Sequence, residues 1–183
     1  PYAVVALWSG PAGTLLVWAL ALAGGAAFLV RAGPMGDRSR GPWTAGVAST
    51  LLLFVLLVMC LQVNPYERVA WQAPDGQGLD PRLLQSAMVL QGPLLVLGYV
   101  GLSMPFALTM GGLLARRLDA AWGVSSRRWA LSGWTCLSAG LLLGTRGSAA
   151  TSPTGGWKWS TGTVAGTGVW IVATALLHAL GRT

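Results

Sequence analysis

The sequence is poor in charged residues and poorest in acidic ones. Its 183 residues include five Asp and Glu, twelve Lys and Arg, and one His, so that charged residues make up 9% of the chain and hydrophobic residues 54%. A soluble domain carries roughly 25% charged residues. The composition therefore excludes an ordinary soluble domain, and the large apolar fraction excludes a disordered chain. It indicates an integral membrane protein that resides in the lipid bilayer.

Residues that commonly carry chemistry are also scarce. The two cysteines, Cys60 and Cys136, lie inside apolar runs and are too few for a disulfide scaffold or a four-ligand zinc site. The chain has no HExxH, Cys-x-x-Cys or GxSxG motif and no phosphate-binding loop. Paired carboxylates are absent from the apolar runs, which argues against an ion-coupled transporter or channel. The sequence therefore predicts no self-sufficient active site of these classes.

Long charge-free windows divide the chain into five apolar segments. Because a helix needs about 20 apolar residues to cross the hydrocarbon core, we predict an all-α integral membrane protein, a single transmembrane domain over residues 1–183 with about five helices. The predicted spans lie near 12–30, 43–63, 93–115, 129–145 and 163–181. The outer loop 64–92 joins the second and third spans, and a tryptophan-containing outer loop, 146–162, joins the fourth and fifth.

The basic residues are distributed unevenly between the two ends of these spans. One side carries Arg31, Arg38, Arg40, Arg116, Arg117, Arg127, Arg128 and Arg182 against Asp37 and Asp119; the other carries Arg68, Arg82, Arg146 and Lys158 against Glu67, Asp75 and Asp80. The positive-inside rule places the first side inside, so we predict an outer N-terminus and an inner C-terminus. Topology thus explains the net charge of +7, and we predict no nucleic-acid partner.

Small residues recur at a spacing of four in the fourth span, and the same spacing relates a second series that enters the fifth. The series in the fourth span is Ser132, Cys136, Gly140 and Gly144, and the series in the fifth is Gly162, Gly166, Trp170, Thr174 and His178. Small side chains let two helix backbones approach closely in a membrane. We therefore predict that the first series forms a ridge that packs against a neighbouring helix.

His178 is the single histidine and falls within the fifth predicted span. Ionisable residues inside a membrane are costly and usually face a partner or a cofactor. Haem is the cofactor that a lone histidine in an apolar helix suits best, with the other axial ligand supplied elsewhere. A neutral imidazole that hydrogen-bonds to a neighbouring helix is the alternative interpretation.

Two further candidates, Trp157 and Trp159, flank Lys158 in the second outer loop. Together they could form a flat aromatic surface for a planar ligand. Tryptophan is also enriched at membrane–water boundaries, which is the alternative explanation. A straight helix separates Trp159 from His178 by about 28 Å of rise, so that cofactor binding at both places requires two sites.

Several segments resemble the CcmF family, the haem lyase subunits of the cytochrome c maturation system. They are Asn64-Pro65-Tyr66-Glu67-Arg68, Gly78-Leu79-Asp80-Pro81, Gly98-Tyr99-Val100-Gly101, Leu118-Asp119-Ala120-Ala121-Trp122 and Thr174-Ala175-Leu176-Leu177-His178. The resemblance covers nearly the whole chain and corresponds to the N-terminal part of a longer protein. It implies that His178 is the position of a transmembrane haem b and that Trp157 and Trp159 line what remains of a tryptophan-rich haem platform. Trp170 is a further retained residue and a candidate for cofactor binding.

The chain departs from the family pattern on its outer side. Members carry His-Pro-Pro after the outer loop, with the histidine as an external haem ligand, whereas this chain has Gln91-Gly92-Pro93. Glutamine is a poor replacement for imidazole on iron. The tryptophan platform normally continues into Asp-Pro-Val-Glu-Asn, and both of those acidic residues are absent here. The resemblance therefore implies an eroded outer site and a retained inner ligand, His178.

The resemblance leaves two functions open. In the first, the chain handles haem as a non-autonomous part of a cytochrome c haem lyase and works with a haem chaperone, apocytochrome c and a separate C-terminal CcmF-like part. In the second, it is a degenerate relative that is retained as a structural subunit of a membrane respiratory or maturation complex. Either function places it in a bacterial or mitochondrial inner membrane.

Overall fold

The fold is all-α, as the sequence predicts. A computed structural model describes residues 10–32, 40–63, 86–118, 120–151 and 161–181. The helices are α1 (Pro11–Ala32), α2 (Gly41–Gln62), α3 (Ser86–Leu114), α4 (Ala120–Thr151) and α5 (Thr161–Leu180). Helix α3 lies at the centre and packs against α1, α2 and α4, while α5 packs against α4.

The apolar character of the helices identifies an integral membrane protein. Within the described ranges, three stretches are long and apolar enough to cross a membrane: Pro11–Arg31, Gly41–Gln62 and Val89–Leu114. Helix α5 contributes a shorter apolar stretch, Val164–Leu180. Large apolar side chains point away from the bundle, for example Leu20, which is 75% exposed, and Leu61, which is 77% exposed. A lipid environment accounts for such exposure, because lipid tails are as apolar as leucine.

Two predicted boundaries are wrong because helices continue beyond their charge-free windows. Helix α3 begins at Ser86 instead of near residue 93, so the end of the predicted loop 64–92 is helical and Pro93 lies inside the helix. Helix α4 covers Ala120–Thr151 instead of 129–145 and reaches into the predicted loop 146–162. A charge-free window measures the length of the apolar stretch. A helix can extend past that stretch, because charged and polar residues such as arginine and serine can also take part in its backbone hydrogen bonding.

The backbones of α3 and α4 are in direct contact. A Cβ atom added to Gly98 would lie 2.8 Å from the Cα atom of Leu137, and one added to Gly133 would lie 2.7 Å from the backbone nitrogen of Leu102. Real Cβ atoms do not approach other atoms so closely. Glycine is therefore required on both helices, because the two backbones occupy the space that a side chain would need.

The packed face of α4 recurs every 3.5 residues. Its buried positions are Ser126, Ala130, Gly133, Leu137 and Gly140. Steps that alternate between four and three residues are typical of helices that pack side by side with a slight left-handed supercoil. The face thus follows α3 over most of the length of α4.

The predicted small-residue ridge is wrong in its first half. Ser132 is exposed and Cys136 is half-buried, whereas Gly140 packs against Leu95 and Gly144 against Gln91. A step of four residues rotates by about 40° around a helix with 3.6 residues per turn. A strict four-residue series therefore leaves the contact face after two or three steps.

A small apolar core holds α1 and α2 against α3. Its buried residues are Ala19, Leu22, Val55, Val96, Val100 and Met104. Met104 is fully buried, and its side chain fills the space beside Gly25 of α1. This packing fixes three helices as one unit and leaves the outer surface of α4 available to α5.

Helix α3 ends in a Schellman motif, in which the chain leaves the helix through a left-handed residue. The backbone N–H of Arg117 donates to the carbonyl of Gly112 at 2.8 Å, and the N–H of Arg116 donates to the carbonyl of Leu113 at 3.0 Å. Arg116 adopts a left-handed conformation with a φ of 53°. The motif satisfies carbonyl groups that would otherwise lack partners at the helix end.

We expect Gly133→Ala to lower the free energy of unfolding by about 1–3 kcal/mol, because the added methyl group forces two backbones apart. Gly24→Ala is the matched control, since nothing lies within 4 Å of a Cβ atom at that position. The free energy of unfolding of this control should rise by up to about 1 kcal/mol, because alanine has a higher helix propensity than glycine. Gly140→Leu, with its larger side chain against Leu95, should reduce the yield of folded protein. Unfolding in detergent measures both effects, and equal stabilities for the two alanine variants would contradict the close approach.

Candidate functional site

Two tryptophans link α4 to α5 through a reciprocal pair of hydrogen bonds. The indole N–H of Trp134 on α4 donates to the hydroxyl of Thr174 on α5 at 3.0 Å. The indole N–H of Trp170 on α5 donates to the hydroxyl of Ser138 on α4 at 2.7 Å. The two indole rings stack with their centroids 5.8 Å apart and their planes inclined by 27°. We call these four residues the Trp–hydroxyl interlock.

Each hydroxyl of the interlock also donates a hydrogen bond within its own helix. Ser138 donates to the backbone carbonyl of Trp134 at 2.8 Å, and Thr174 donates to the backbone carbonyl of Trp170 at 2.8 Å. Both hydroxyl groups therefore act as donor and acceptor together. Each is held in one rotamer, and the acceptor lone pair is directed at the indole of the opposite helix.

The local sequence explains this geometry. Each helix carries a tryptophan followed four residues later by a hydroxyl residue: Trp134 and Ser138 on α4, and Trp170 and Thr174 on α5. Residues four apart lie on adjacent turns of one helix face. Because α4 and α5 are consecutive helices that run in opposite directions, the tryptophan of each one lies level with the hydroxyl of the other.

The structure places the candidate cofactor-binding residue Trp170 in this interlock. Its indole N–H is bonded to Ser138, and its ring is stacked against Trp134. The remaining part of the ring is half-buried. Trp170 therefore has a packing role between helices, and only its free edge remains to contact a ligand. The two platform candidates, Trp157 and Trp159, lie outside the described residues.

His178 lies in the last turn of α5 and is exposed. Among the side chains that the structure describes, none forms a hydrogen bond with its imidazole ring. The four-residue series explains its position, because Gly166 is buried, Trp170 and Thr174 meet α4, and each further step rotates outward by about 40°. The imidazole thus points away from the bundle, where its ring nitrogens are free to bind a group from outside.

Gln91, which the sequence resemblance relates to the external ligand position, packs between helices. Its side-chain amide lies against Gly144 of α4, where a Cβ atom would be 3.0 Å from the Cδ atom of Gln91 and in collision with Nε2. The residue is half-buried. A side chain that fills the notch over a glycine is not presented to a ligand, so this position does not fit haem ligation.

The described residues contain no metal site built from several side chains. No group of three or more His, Cys, Asp or Glu side chains comes together in these ranges. A single imidazole fits one axial position of a haem iron, which needs its second ligand from another source. His178 is the residue of the described part that meets this requirement.

Sequence reasoning missed part of this region. Trp134 and the role of Ser138 were not predicted, although the repeated spacing of a tryptophan and a hydroxyl residue on two consecutive helices is visible in the sequence. The notch at Gly144 was also missed. A glycine indicates that a neighbour approaches closely, but the sequence does not identify that neighbour.

Comparison with known proteins relates the whole chain to cytochrome c biogenesis proteins. The Pseudomonas aeruginosa cytochrome c-type biogenesis protein CcmF is 38% identical over 188 residues, which cover 100% of this chain and 28% of that protein. The Escherichia coli probable cytochrome c-type biogenesis protein NrfE is 34% identical over 181 residues, or 98% of this chain and 33% of that protein. The Rhodobacter capsulatus protein ccl1 is 34% identical over 179 residues. No family profile and no solved structure matches the chain.

The helices and these relatives define the class first: the chain is a helical integral membrane protein whose relatives are cytochrome c-type biogenesis proteins. It belongs to the CcmF family and matches the N-terminal part of its members. The chain spans 28% of the length of the Pseudomonas aeruginosa relative and 27% of the Rhodobacter capsulatus one. The family resemblance inferred from the sequence motifs is thereby confirmed.

The interlock predicts a measurable coupling between α4 and α5. We expect Trp170→Phe and Ser138→Ala each to lower the free energy of unfolding by about 0.5–1.5 kcal/mol, because one interhelical hydrogen bond is lost. Since both changes remove the same bond, the double variant should lose less than the sum of the two. Thr135→Ala is the control, because that exposed hydroxyl donates only to Leu131 of its own helix. Additive losses in a double-mutant cycle would show that the bond contributes nothing.

Proposed function

We propose that the chain is a CcmF-like membrane subunit of the cytochrome c maturation system that handles haem for covalent attachment to apocytochrome c. The observation that carries this proposal is the similarity of the whole chain to several proteins named for cytochrome c-type biogenesis, at 34–38% identity. In this proposal, the chain acts as one part of a larger assembly. It has no lyase activity by itself.

In this proposal, His178 holds a haem b through one imidazole nitrogen. Its exposure and its outward direction on α5 support this role, because an imidazole that forms no hydrogen bond with the described side chains can coordinate iron. When bound, haem b supplies one-electron transfer. The second axial ligand comes from another part of the assembly, which is consistent with the single histidine of this chain.

The outer side has a reduced role in the proposal. We assign Trp157 and Trp159, which precede α5 in the sequence, and the free edge of Trp170 to an aromatic surface that contacts haem. Gln91 fills an interhelical notch and binds no iron. Presentation of haem to apocytochrome c on this side would therefore depend on residues of other subunits.

The proposed topology has five spans, with the N-terminus outside and the C-terminus inside. The antiparallel pairing of α3 with α4 and of α4 with α5 supports it, as does the uneven distribution of arginines between the connecting loops. The membrane is a bacterial inner membrane or a mitochondrial one, and the relatives named above come from bacteria. The partners are a separate C-terminal CcmF-like part, a haem chaperone and apocytochrome c.

A second function is favoured by the packing of Gln91 and Trp170. Both occupy positions that the family resemblance assigns to haem, and both are engaged in contacts between helices. A degenerate subunit that has kept its helix packing and lost its cofactor would show this pattern. In this alternative, the chain is a structural part of a membrane respiratory or maturation complex.

The two functions differ in the effect of His178→Ala. We expect the chain, purified from membranes with its natural partners, to give a b-type reduced-minus-oxidised absorbance signal that His178→Ala abolishes. Leu176→Ala is the matched control, because it changes an exposed residue in the same part of α5 without removing a ligand. A complex that assembles normally and gives no b-type signal would support the structural alternative, as would a signal that survives His178→Ala.

Cysteine labelling tests the topology. In a background free of Cys60 and Cys136, we expect a cysteine at Asp75 to react with a membrane-impermeant maleimide from the outer side, and one at Arg116 to react from the inner side. The physical reason is the preference of arginine-rich loops for the inner side. The opposite pattern of labelling would reverse the orientation.

A further inference from the structure

Helix α5 packs against the bundle through a face with little relief. Its buried residues, within the range that the structure describes, are Gly166 and Ala173. The side chain of Leu141 on α4 and the hydroxyl of Tyr99 on α3 lie over Gly166, where an added Cβ atom would be 2.8 Å and 3.2 Å from them. The small side chains of Gly166 and Ala173 form no ridge of their own. Burial of apolar surface adds little in lipid, which is as apolar as a helix face. Apolar packing therefore restrains the rotation of α5 about its axis chiefly at this one notch, about one helical turn before Trp170.

The interlock supplies the directional contacts that apolar packing lacks. Its two indole hydrogen bonds are 3.0 Å and 2.7 Å long and are attached to points four residues apart on each helix. Sliding α5 by one residue displaces both donors by about 1.5 Å relative to their acceptors. Rotation of α5 separates both pairs as well. The two bonds together are satisfied by one axial position and one rotation.

His178 lies one helical turn beyond Thr174 and is offset from it by about 40° around the helix. No large buried side chain of the described part of α5 lies between the interlock and this histidine. The direction of the imidazole therefore follows the rotation that Trp170 and Thr174 impose. A rotation of α5 by 40° would move the end of a side chain by about 3–4 Å.

We propose that the Trp–hydroxyl interlock positions His178. Trp134 and Ser138 on α4 hold Trp170 and Thr174 on α5, and this contact sets the direction in which the imidazole faces its iron. The four residues are positioning residues, since none of them is required to touch the haem through its hydrogen-bonding groups. The link to iron rests on the proposed function, whereas the effect on the direction of residue 178 does not.

The first experiment measures that direction without haem. Nitroxide labels are attached to cysteines introduced by His178→Cys and Leu114→Cys, in a chain whose Cys60 and Cys136 have been replaced. The distance between the two labels is measured in lipid by pulsed electron–electron double resonance. Leu114 is a suitable reference, because it is 53% exposed at the end of the tightly packed helix α3. We expect one narrow distance distribution in the unmodified interlock.

Removal of both hydroxyls, by Ser138→Ala with Thr174→Val, should shift or broaden that distribution by about 3 Å or more. The exchange Ser138→Thr with Thr174→Ser keeps both hydroxyls and should restore the narrow distribution. Thr135→Ala, which removes a hydroxyl outside the interlock, should leave it unchanged. Should the hydroxyl-free chain not fold, Trp134→Phe and Trp170→Phe each remove one donor and serve in its place. An unchanged distribution in the folded variants would overturn the proposal.

The second experiment uses the complex with His178 intact. If the interlock positions the ligand, Thr174→Val should retain the b-type absorbance but shift the low-spin ferric g-values and the midpoint potential. A merely stabilising role would reduce the amount of haem and leave both quantities in place. A distance shift without any b-type signal would refute the proposed function and support the positioning role. A b-type signal with unchanged distances and g-values would support the proposed function and refute the positioning role.

Discussion

The structure depends on the direct contact of two helix backbones, α3 and α4, at glycine positions on both. At Gly98 and Gly133 the opposite helix occupies the space in which a Cβ atom would lie. In lipid, apolar burial contributes little to helix association, so close van der Waals contact becomes the main source of stability. This pair provides the surface on which α1 and α2 pack from one direction and α5 from another.

The contact between α4 and α5 uses a different kind of interaction. Here the buried residues are small, and two indole hydrogen bonds give the contact its direction. This contact needs only two residues on each helix, a tryptophan and a hydroxyl residue four positions later. The same contact leaves His178 exposed at the surface of the described bundle. A group from outside these helices can reach its imidazole there.

The family resemblance and the packing give complementary accounts of the outer side. Gln91 stands where the family pattern has a histidine, and its amide fills the notch at Gly144. Trp170, which the resemblance makes a candidate for cofactor binding, is bonded to Ser138. Both side chains thus have packing roles between helices, whereas His178 lies on an exposed face of α5.

The sequence by itself determined the class and the family, and it predicted each of the five helices that the described residues form. Charge-free windows report the apolar length of a segment directly, and ordered motifs report ancestry, so neither requires knowledge of contacts. Helix ends were predicted less well, as at Ser86 and Thr151, because a helix does not stop where the lipid stops. The face of each helix was decided only by tertiary structure. A four-residue series was consistent with a ridge on one face, but its slow rotation turned Ser132 outward and His178 away from α4, and only the position of the neighbouring helix determines where such a series makes contact.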